Sequence, residues 1–453
     1  MVIKLIQPKM VMRPMDTRLK TRMAPALGLL TIAGMLEKEH TVIIENENVE
    51  AVQYDKSADL VGITVTVDVM ERAAQIAKRF REMGIPVAAG GIHVTAFPEE
   101  CEKYFDVVCV GMAEGTWPDM IKDFQKGTLK KRYKCKGNLT GRDIRPPAYH
   151  MIDSSQYLYC NIISTSRGCP FHCDFCYNSC DAYKKMYINR SVGDVIRDIK
   201  VIGKRHIMFI DDNFIGNPEW TRKFVQAIKP MNLIWNCAVS ANIVDMPDLL
   251  DEMKEAGCQS MFIGFESINE NSISGVHKGQ NQVNQFDRLV EELHSRGIMI
   301  NASFVFGLDG DDSTTFKKTV DWIVEHKIET VTSHILTPYP GTAVYDRYDK
   351  AGRITDYNFS KYNTANVVFR PKQMTAEELY EGYLWVYDEV YSFKNIIKRL
   401  PREKKQWKAY LLFNFLYRKW GSFTEKLCDL VTYERIGKIA EKISYQLPVL
   451  KKL

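Results

Sequence analysis

From residue 1 to about 145, short apolar runs rich in β-branched residues alternate with longer stretches whose apolar positions recur at helical spacing. In order they read "VIKLIQP", "LGLLTIAGMLEKEH", "TVIIEN", "LVGITVTV", "VMERAAQIAKRFREMG", "IPVAAGG", "DVVCVG" and "TWPDMIKDFQKG". Unbroken apolar runs mark strands buried on both faces, and amphipathic helices between them predict an α/β domain with a doubly wound parallel sheet. The stretch "KGNLTGRDIRPPAYHM", polar and with two prolines, reads as a linker. The alternation resumes from about 155 to 345, from "YCNIISTSRG" and "HIMFIDD" through "IWNCAVSAN", "SMFIGFES" and "MINASFVFGLDGD" to "TVTSHILTPYPG", each followed by a helical pattern. That makes about six β/α units, enough for a partial parallel barrel and short of the eight that close one. Beyond 345 the pattern turns helical and aromatic, most clearly in "TAEELYEGYLWVYDEVYSF". Three domains are expected, over 1–145, 146–345 and 346–453.

Composition narrows the class. A hydrophobic share of 45% with 26% charged residues is ordinary for a globular chain of 453 residues. A net charge of +5 is too weak to argue for nucleic acid, and none is expected as a partner. "MVIKLIQP" runs straight into a strand pattern, and no apolar run reaches the ~18 residues of a membrane-spanning helix. A cytoplasmic location is therefore expected, where clustered cysteines mean metal or catalysis more often than disulfides.

Four of the 11 cysteines fall in "STSRGCPFHCDFCYNSC". Cys169, Cys173 and Cys176, spaced C-x3-C-x2-C, follow the first strand of the second region. Three thiolates this close can wrap one face of a cube-shaped iron–sulfur cluster, leaving its fourth iron open to another ligand. A structural zinc site wants four ligands, usually two separated knuckles, and here only Cys180 or His172 could complete it.

The loop closely resembles the C-x3-C-x-aromatic-C signature of radical S-adenosylmethionine (SAM) enzymes, with Phe175 in the aromatic slot. The resemblance implies a 4Fe-4S cluster whose open iron is chelated by SAM and whose electron cleaves SAM to a 5′-deoxyadenosyl radical. It extends along the barrel. "FIDDNF" ends the second strand, where the family grips the SAM amino group, which points to Asp211, Asp212 and Asn213. Ser240 in "VSAN" and Glu266 in "IGFES" would face the ribose or methionine of SAM. "VFGLDGDD" resembles the loop beside the adenine, and "TPYPGT" ends the sixth strand. Read without the family, such acidic clusters are solvated turns or helix caps. Cys180 lies outside the three-cysteine pattern and is expected to be a free thiol.

The first region resembles the Rossmann-like cobalamin-binding domain that precedes the barrel in one large radical SAM subgroup. There, Thr64 and Thr66 after the third strand and Gly90 and Gly91 after the fourth would let a nucleotide tail lie along the sheet edge. The chain lacks the Asp-x-His-x-x-Gly motif by which other cobalamin proteins ligate cobalt, as that subgroup generally does. Met10, Met12, Met15 and Met23 either sit beneath a corrin or pack as ordinary core and loop residues. His93, beside the glycine pair, is given no ligand role.

The family resemblance implies a cobalamin-dependent C-methyltransferase acting on an unactivated carbon, with one SAM as methyl source and a second as radical source. The alternatives are a radical SAM oxidative cyclase or carbon–carbon coupling enzyme, with or without cobalamin, and a non-catalytic cobalamin or metal sensor. The C-terminal stretch resembles the tail of members that act on lipids and tetrapyrrole precursors. Its Tyr380, Tyr383, Trp385, Tyr387 and Tyr391 either form a lid or pack a helix on the barrel. "KKQWKAYLLFNFLYRKWGSF" mixes basic and aromatic residues as an interfacial helix does, which would bring peripheral membrane contact, and it suits a docked helix about as well. The expected partners are a small-molecule substrate, lipid or tetrapyrrole-like, and a flavodoxin or ferredoxin-type electron donor.

Overall fold

The computed structural model describes residues 1–136, 139–184 and 187–445. The first sheet has strands β1 (Val2–Gln7), β2 (Thr41–Asn46), β3 (Leu60–Thr64), β4 (Val87–Gly90), β5 (Val107–Val110) and β6 (Arg132–Lys134), all parallel in the order β2-β1-β3-β4-β5-β6. Its helices are α1 (Arg18–Thr21), α2 (Leu27–Leu36), α3 (Met70–Glu82), α4 (Ile92–Ala96), α5 (Pro98–Cys101) and α6 (Trp117–Gln125). Helix α3 buries Met70, Ala73, Ile76, Ala77 and Phe80, one stripe at helical spacing, against one face of the sheet. Helices α2 and α6 cover the other face with Leu29, Ala33 and Trp117. The doubly wound expectation holds. Strand β6 adds a sixth strand from a three-residue run too short to show a period.

Between β1 and α2 the chain leaves this domain. Arg18 pairs with Glu425 (2.5 Å) and Asp429 (2.6 Å), and the carbonyls of Arg22 and Met23 accept from the backbone N–H groups of Leu158 and Tyr159. Residues 8–26 thus strap the first domain to the last helices.

The second sheet is built from β7 (Ile162–Ile163), β10 (His206–Phe209), β11 (Ile234–Val239), β12 (Cys258–Glu266), β13 (Met299–Phe306) and β14 (Thr330–Ile335). All are parallel, in the order β14-β13-β12-β11-β10-β7. A separate two-residue ladder, β8 (Ser166–Arg167) with β9 (Ile188–Asn189), is antiparallel. Helices α7 (Val192–Ile202), α8 (Pro218–Ile228), α9 (Pro247–Glu255), α10 (Glu270–Ser274), α11 (Phe286–Ser295) and α12 (Thr315–Glu325) follow the strands in turn. Their apolar faces and the outward strand residues, among them Trp235, Phe265 and Phe304, form the largest core. This is the expected partial (β/α)6 barrel.

After α13 (Ala343–Lys350), helix α14 (Ala376–Val390) opens on a capping box between Thr375 and Glu378. It lies against the free edge of β14. The hydroxyl of Tyr387 accepts from Ser333 N–H (3.0 Å) and donates to Ser333 C=O (3.1 Å), and Tyr391 does the same at Val331 (3.1 and 2.6 Å). Tyr383, Tyr387 and Tyr391 therefore pack the helix onto the barrel, while Trp385 points outward. Helices α15 (Phe393–Lys398) and α16 (Trp407–Leu411), a π-helical stretch (Leu412–Lys419), α17 (Gly421–Val431) and α18 (Tyr433–Tyr445) complete the chain. No helix among the described residues is long and apolar enough to cross a membrane.

Gly257, with φ +102°, turns the chain from α9 into β12, and a Cβ there would run into the Leu233 carbonyl. Gly257→Ala is expected to destabilise the barrel by about 2–4 kcal/mol, read as a fall of several degrees in unfolding temperature.

Candidate functional site

The cysteine loop is anchored before it begins. Asp211, just past β10, is buried, and its Oδ1 accepts four hydrogen bonds, from the N–H and hydroxyl of Thr165 (2.8 and 3.1 Å) and of Ser166 (2.6 Å each). Burial raises its pKa, and these donors oppose the shift. The β8–β9 ladder ties the neck of the loop, Arg190 N–H donates to Thr165 C=O (2.9 Å), and a buried Arg190–Asp198 pair (2.8 Å) lies beneath. Gly168, with φ +75°, then turns the chain into Cys169. The loop's far side is held by Asp174, which meets His277 (2.9 Å) and Arg347 (3.0 Å), and by Phe175, packed against the barrel core.

All eleven cysteines are free thiols. Burial pushes the Cys169 thiol up to about 11 and that of Cys176 up to about 12; Cys173 adds to the first shift, and Cys173 and Cys169 to the second. Buried thiols of this kind ionise when a cation compensates them, as a bound metal does. Among the described residues no three Cys, His, Asp or Glu side chains converge tightly enough for a single metal ion. Three free thiols carried on one loop are the donor type that an iron–sulfur cluster takes. Cys180 is turned instead to the backbone N–H groups of Ala182 and Tyr183, and His172 is exposed.

The strand ends surround this loop. Asp212 accepts from Asn178 Nδ2 (3.1 Å), and its charge is felt by Cys169 and Cys176. Asn213 is buried and donates to Ser240 Oγ (3.1 Å), which donates on to Asn242 (2.5 Å). Glu266 has φ +64°, a backbone state rare for a side chain of this size and frequent at functional sites. It pairs with Lys278 (2.5 Å), whose ammonium also donates to Gly264 C=O (2.7 Å), and both are buried. The charge of Lys278 reaches Cys169 and Cys173, and Gln280 Nε2 lies 3.2 Å from Cys173 Sγ. Sequence reasoning missed Lys278 and Gln280, which follow α10 and carry no motif.

A cavity of about 350 Å³ runs from the C-terminal edge of the first sheet to the cysteine loop. Thr64, Gly90 and Gly91 line it on one side, and Gly168, Asn178 and Asp212 on the other. It lies beside the switch point between β1 and β3, where doubly wound sheets take their ligands. Gly91 has φ +110°, and a Cβ there would press on the Val65 backbone at 2.8 Å, whereas one at Gly90 would meet only Cys109, at 3.7 Å. Gly90 is therefore a place in the cavity lining where the protein itself has room for a side chain. Thr66 is outside the lining and donates to Asp68 (2.7 Å). So are the four methionines: Met15 meets the Tyr383 hydroxyl (3.2 Å), Met23 packs with Leu158, Met10 lies by Asn48 and Met12 is on the surface. His93 is buried with Phe97 and Phe359, and burial lowers it to about 4. Its Nδ1 is 3.5 Å from the hydroxyl of Tyr177, which stacks on Tyr339, so the first domain and the cysteine loop touch there.

The chain matches the Radical SAM superfamily over residues 163–323, the B12 binding domain over 22–121, and a domain of unknown function (DUF4070) over 342–422. Bacteriochlorophyllide d C-12(1)-methyltransferase of Chlorobaculum tepidum is 28% identical over 413 residues, 88% of this chain and 89% of that protein. The C-8(2)-methyltransferase of the same organism is 27% identical, over 85% of this chain and 89% of that protein. In fold, the chain is similar to the radical SAM methyltransferase TsrM from Kitasatospora setae, solved with cobalamin and a [4Fe-4S] cluster, at a TM-score of 0.67 and 14% identity, over 97% of this chain and 99% of that one.

Two substitution sets follow from this geometry. Alanine at Cys169, Cys173 or Cys176 is expected to abolish iron and sulfide retention, and Cys180→Ala to leave both unchanged, by metal analysis of anaerobically purified protein. Gly90→Val is expected to lower cobalamin content at least tenfold (: about 1.4 kcal/mol) while iron content and unfolding temperature stay near those of the parent.

Proposed function

Because the chain belongs to the radical SAM enzymes that carry an amino-terminal B12-binding domain, we propose that it methylates an unactivated carbon of a tetrapyrrole-like substrate. The observation that carries this reading is the single cavity joining the Thr64–Gly90–Gly91 edge to Asp212 and the cysteine loop. An unactivated carbon offers no proton that a side-chain base can remove near neutral pH, so its methylation needs radical chemistry. When bound, cluster and SAM supply the radical, and cobalamin supplies the methyl carrier.

The chain's own residues bind, orient and exclude water. Cys169, Cys173 and Cys176 would hold three irons and leave the fourth to SAM. Asp212, fixed by Asn178, is our choice for the SAM amino group, with Asn213 and Ser240 locking that strand end. Glu266, held by Lys278, would face the remainder of SAM. Asp211 acts as a positioning residue, since its carboxylate is engaged with Thr165 and Ser166. Thr64, Gly90 and Gly91 would cradle the cobalamin tail. The electron would come from a flavodoxin or ferredoxin-type protein, since cluster reduction takes one electron at a time.

The substrate class rests on the two Chlorobaculum tepidum relatives, both bacteriochlorophyllide d methyltransferases. Such a substrate is large and apolar, and the exposed apolar residues of the last helices would suit contact with a membrane that holds it. Phe393, Ile397, Trp420, Phe423 and Leu430 are exposed there, with Lys394, Lys398 and Lys419 nearby in the chain.

The test uses reconstituted, cobalamin-loaded protein with SAM, a one-electron reductant and a chlorophyllide-type acceptor. Methyl transfer is expected to yield both S-adenosylhomocysteine and 5′-deoxyadenosine, with a product heavier by one methylene. Asp212→Ala is expected to weaken SAM binding at least tenfold (: about 1.4 kcal/mol) with the cluster intact. Formation of 5′-deoxyadenosine without S-adenosylhomocysteine, and a product that has only lost hydrogen, would mark a cyclase or coupling enzyme instead.

A further inference from the structure

Below the strand ends, the interior of the open barrel holds a second cavity of about 390 Å³. The inward residues of β11, β12 and β13 line it on one side, and α16, the π-helical stretch and α18 on the other. Its wall is mostly apolar, with Leu19, Met23, Phe262, Met299, Phe413 and Leu416 prominent. At its base the ionisable groups are matched: His206 pairs with Glu441 (2.8 Å) and lies 2.9 Å from Asn236.

The β14 wall is different. Thr330, Thr332 and His334 alternate with fully buried Val331, Ser333 and Ile335, so they face the barrel interior. Thr330 lines the cavity, as does Asn301, whose amide oxygen is 3.5 Å from Thr332 Oγ1. Arg418 reaches the same face from the π-helical stretch and donates to Thr332 Oγ1 (3.2 Å). Two residues further along, Arg13 meets His334 Nδ1 (3.5 Å). Arg13 and Lys20 share one carboxylate, Asp16 (2.9 and 2.7 Å). Three cations thus stand around a single acid, and burial together with Arg13, Lys20 and Arg418 lowers His334 to about 3.

Arg418 has no carboxylate partner among the described residues, and its buried Nε has no hydrogen-bond acceptor. The rings of Tyr417, Phe413, Tyr391 and Tyr387 surround it, with centroids 5.3, 5.5, 5.6 and 6.0 Å away. An aromatic box eases a guanidinium's loss of water, but it does not neutralise the charge as an anion does. π-helical turns are rare and occur mostly where a side chain must be re-aimed at a functional site. This one directs Phe413 and Tyr417 to the cavity and Arg418 to Thr332, two residues along β14 from the cavity-lining Thr330.

We propose that Arg418, with Arg13 and Lys20 behind it, is an anion-binding subsite inside the barrel that pairs with a carboxylate of a substrate whose apolar body occupies the adjoining cavity. A guanidinium fork matches a carboxylate in two parallel hydrogen bonds, and the low dielectric around it makes an acid far preferable to its ester. The subsite deepens the methyltransferase reading and rests on it only in calling the ligand a substrate. It selects amphipathic acids over neutral polycyclic hydrocarbons.

The test is calorimetric titration of the cofactor-loaded protein with protoporphyrin IX, which carries two carboxylates, and with its dimethyl ester. The acid is expected to bind at least tenfold more tightly (: charge-assisted pairing). Arg418→Gln is expected to bring the acid to the ester's affinity without changing the ester's, and Arg418→Lys to keep part of the preference. Equal binding of acid and ester by the parent protein, absence of acid binding, or an equal loss of both in Arg418→Gln overturns the subsite. The comparison within the parent protein stands even if the variants fail to fold. SAM cleavage on the same preparation reports the methyltransferase reading separately.

Discussion

The six parallel strands of the second sheet leave its barrel open, and the architecture is organised around the edge that results. Strand β14 ends the sheet with outward N–H and C=O groups that no further strand receives. Left bare, such an edge would cost its hydrogen bonds or invite another chain. Helix α14 closes it with tyrosines, the hydroxyls of Tyr387 and Tyr391 serving as donor and acceptor at Ser333 and Val331. Arg399, fully buried, extends the seal by donating to the carbonyls of Ile328 and Glu329 just before the strand. The open barrel is thereby kept open: its edge is satisfied without a seventh strand, and its interior remains a space into which other elements project.

That space receives the chemistry from three directions. The cysteine loop enters from the top of β7, the first domain abuts it through the Tyr177–His93 contact, and the last helices fill the base. Each entry is fixed by a buried polar group. Asp211 gathers four donors at the root of the loop, where losing the acceptor would strand all of them at roughly 1–3 kcal/mol each. Lys278 and Glu266 neutralise one another beside the thiols. Arg418 differs from these: aromatic faces surround it and no carboxylate pairs with it among the described residues.

Much of this was legible in the chain because it is local. Strands and helices announce themselves by their periods, and six β/α repeats followed by aromatic helices gave the layer order. The cysteine triplet was readable because its three thiols come from one eight-residue stretch, Cys169 to Cys176, whose spacing survives whatever the loop's conformation. The glycine pair was readable for a related reason: at Gly91 a positive φ excludes other residues. Short pairings were not legible, since the two-residue ladder at the neck of the loop and the three residues of β6 are below the length at which a period exists.

The sequence by itself determined the element types, the two-domain α/β plan with its helical tail, and the loop that carries the thiols, because backbone period and ligand spacing are properties of neighbouring residues. Only the tertiary structure decided what each polar residue does. Asp211 and Asp212 are adjacent in the chain, yet one is buried under Thr165 and Ser166 while the other faces the cavity. Thr64 lines that cavity and Thr66, two residues on, turns to Asp68. Lys278 and Arg418 carry no motif and take their meaning from partners 12 or more positions away. Charge in a protein acts through space, and the distance between two side chains is set by the fold.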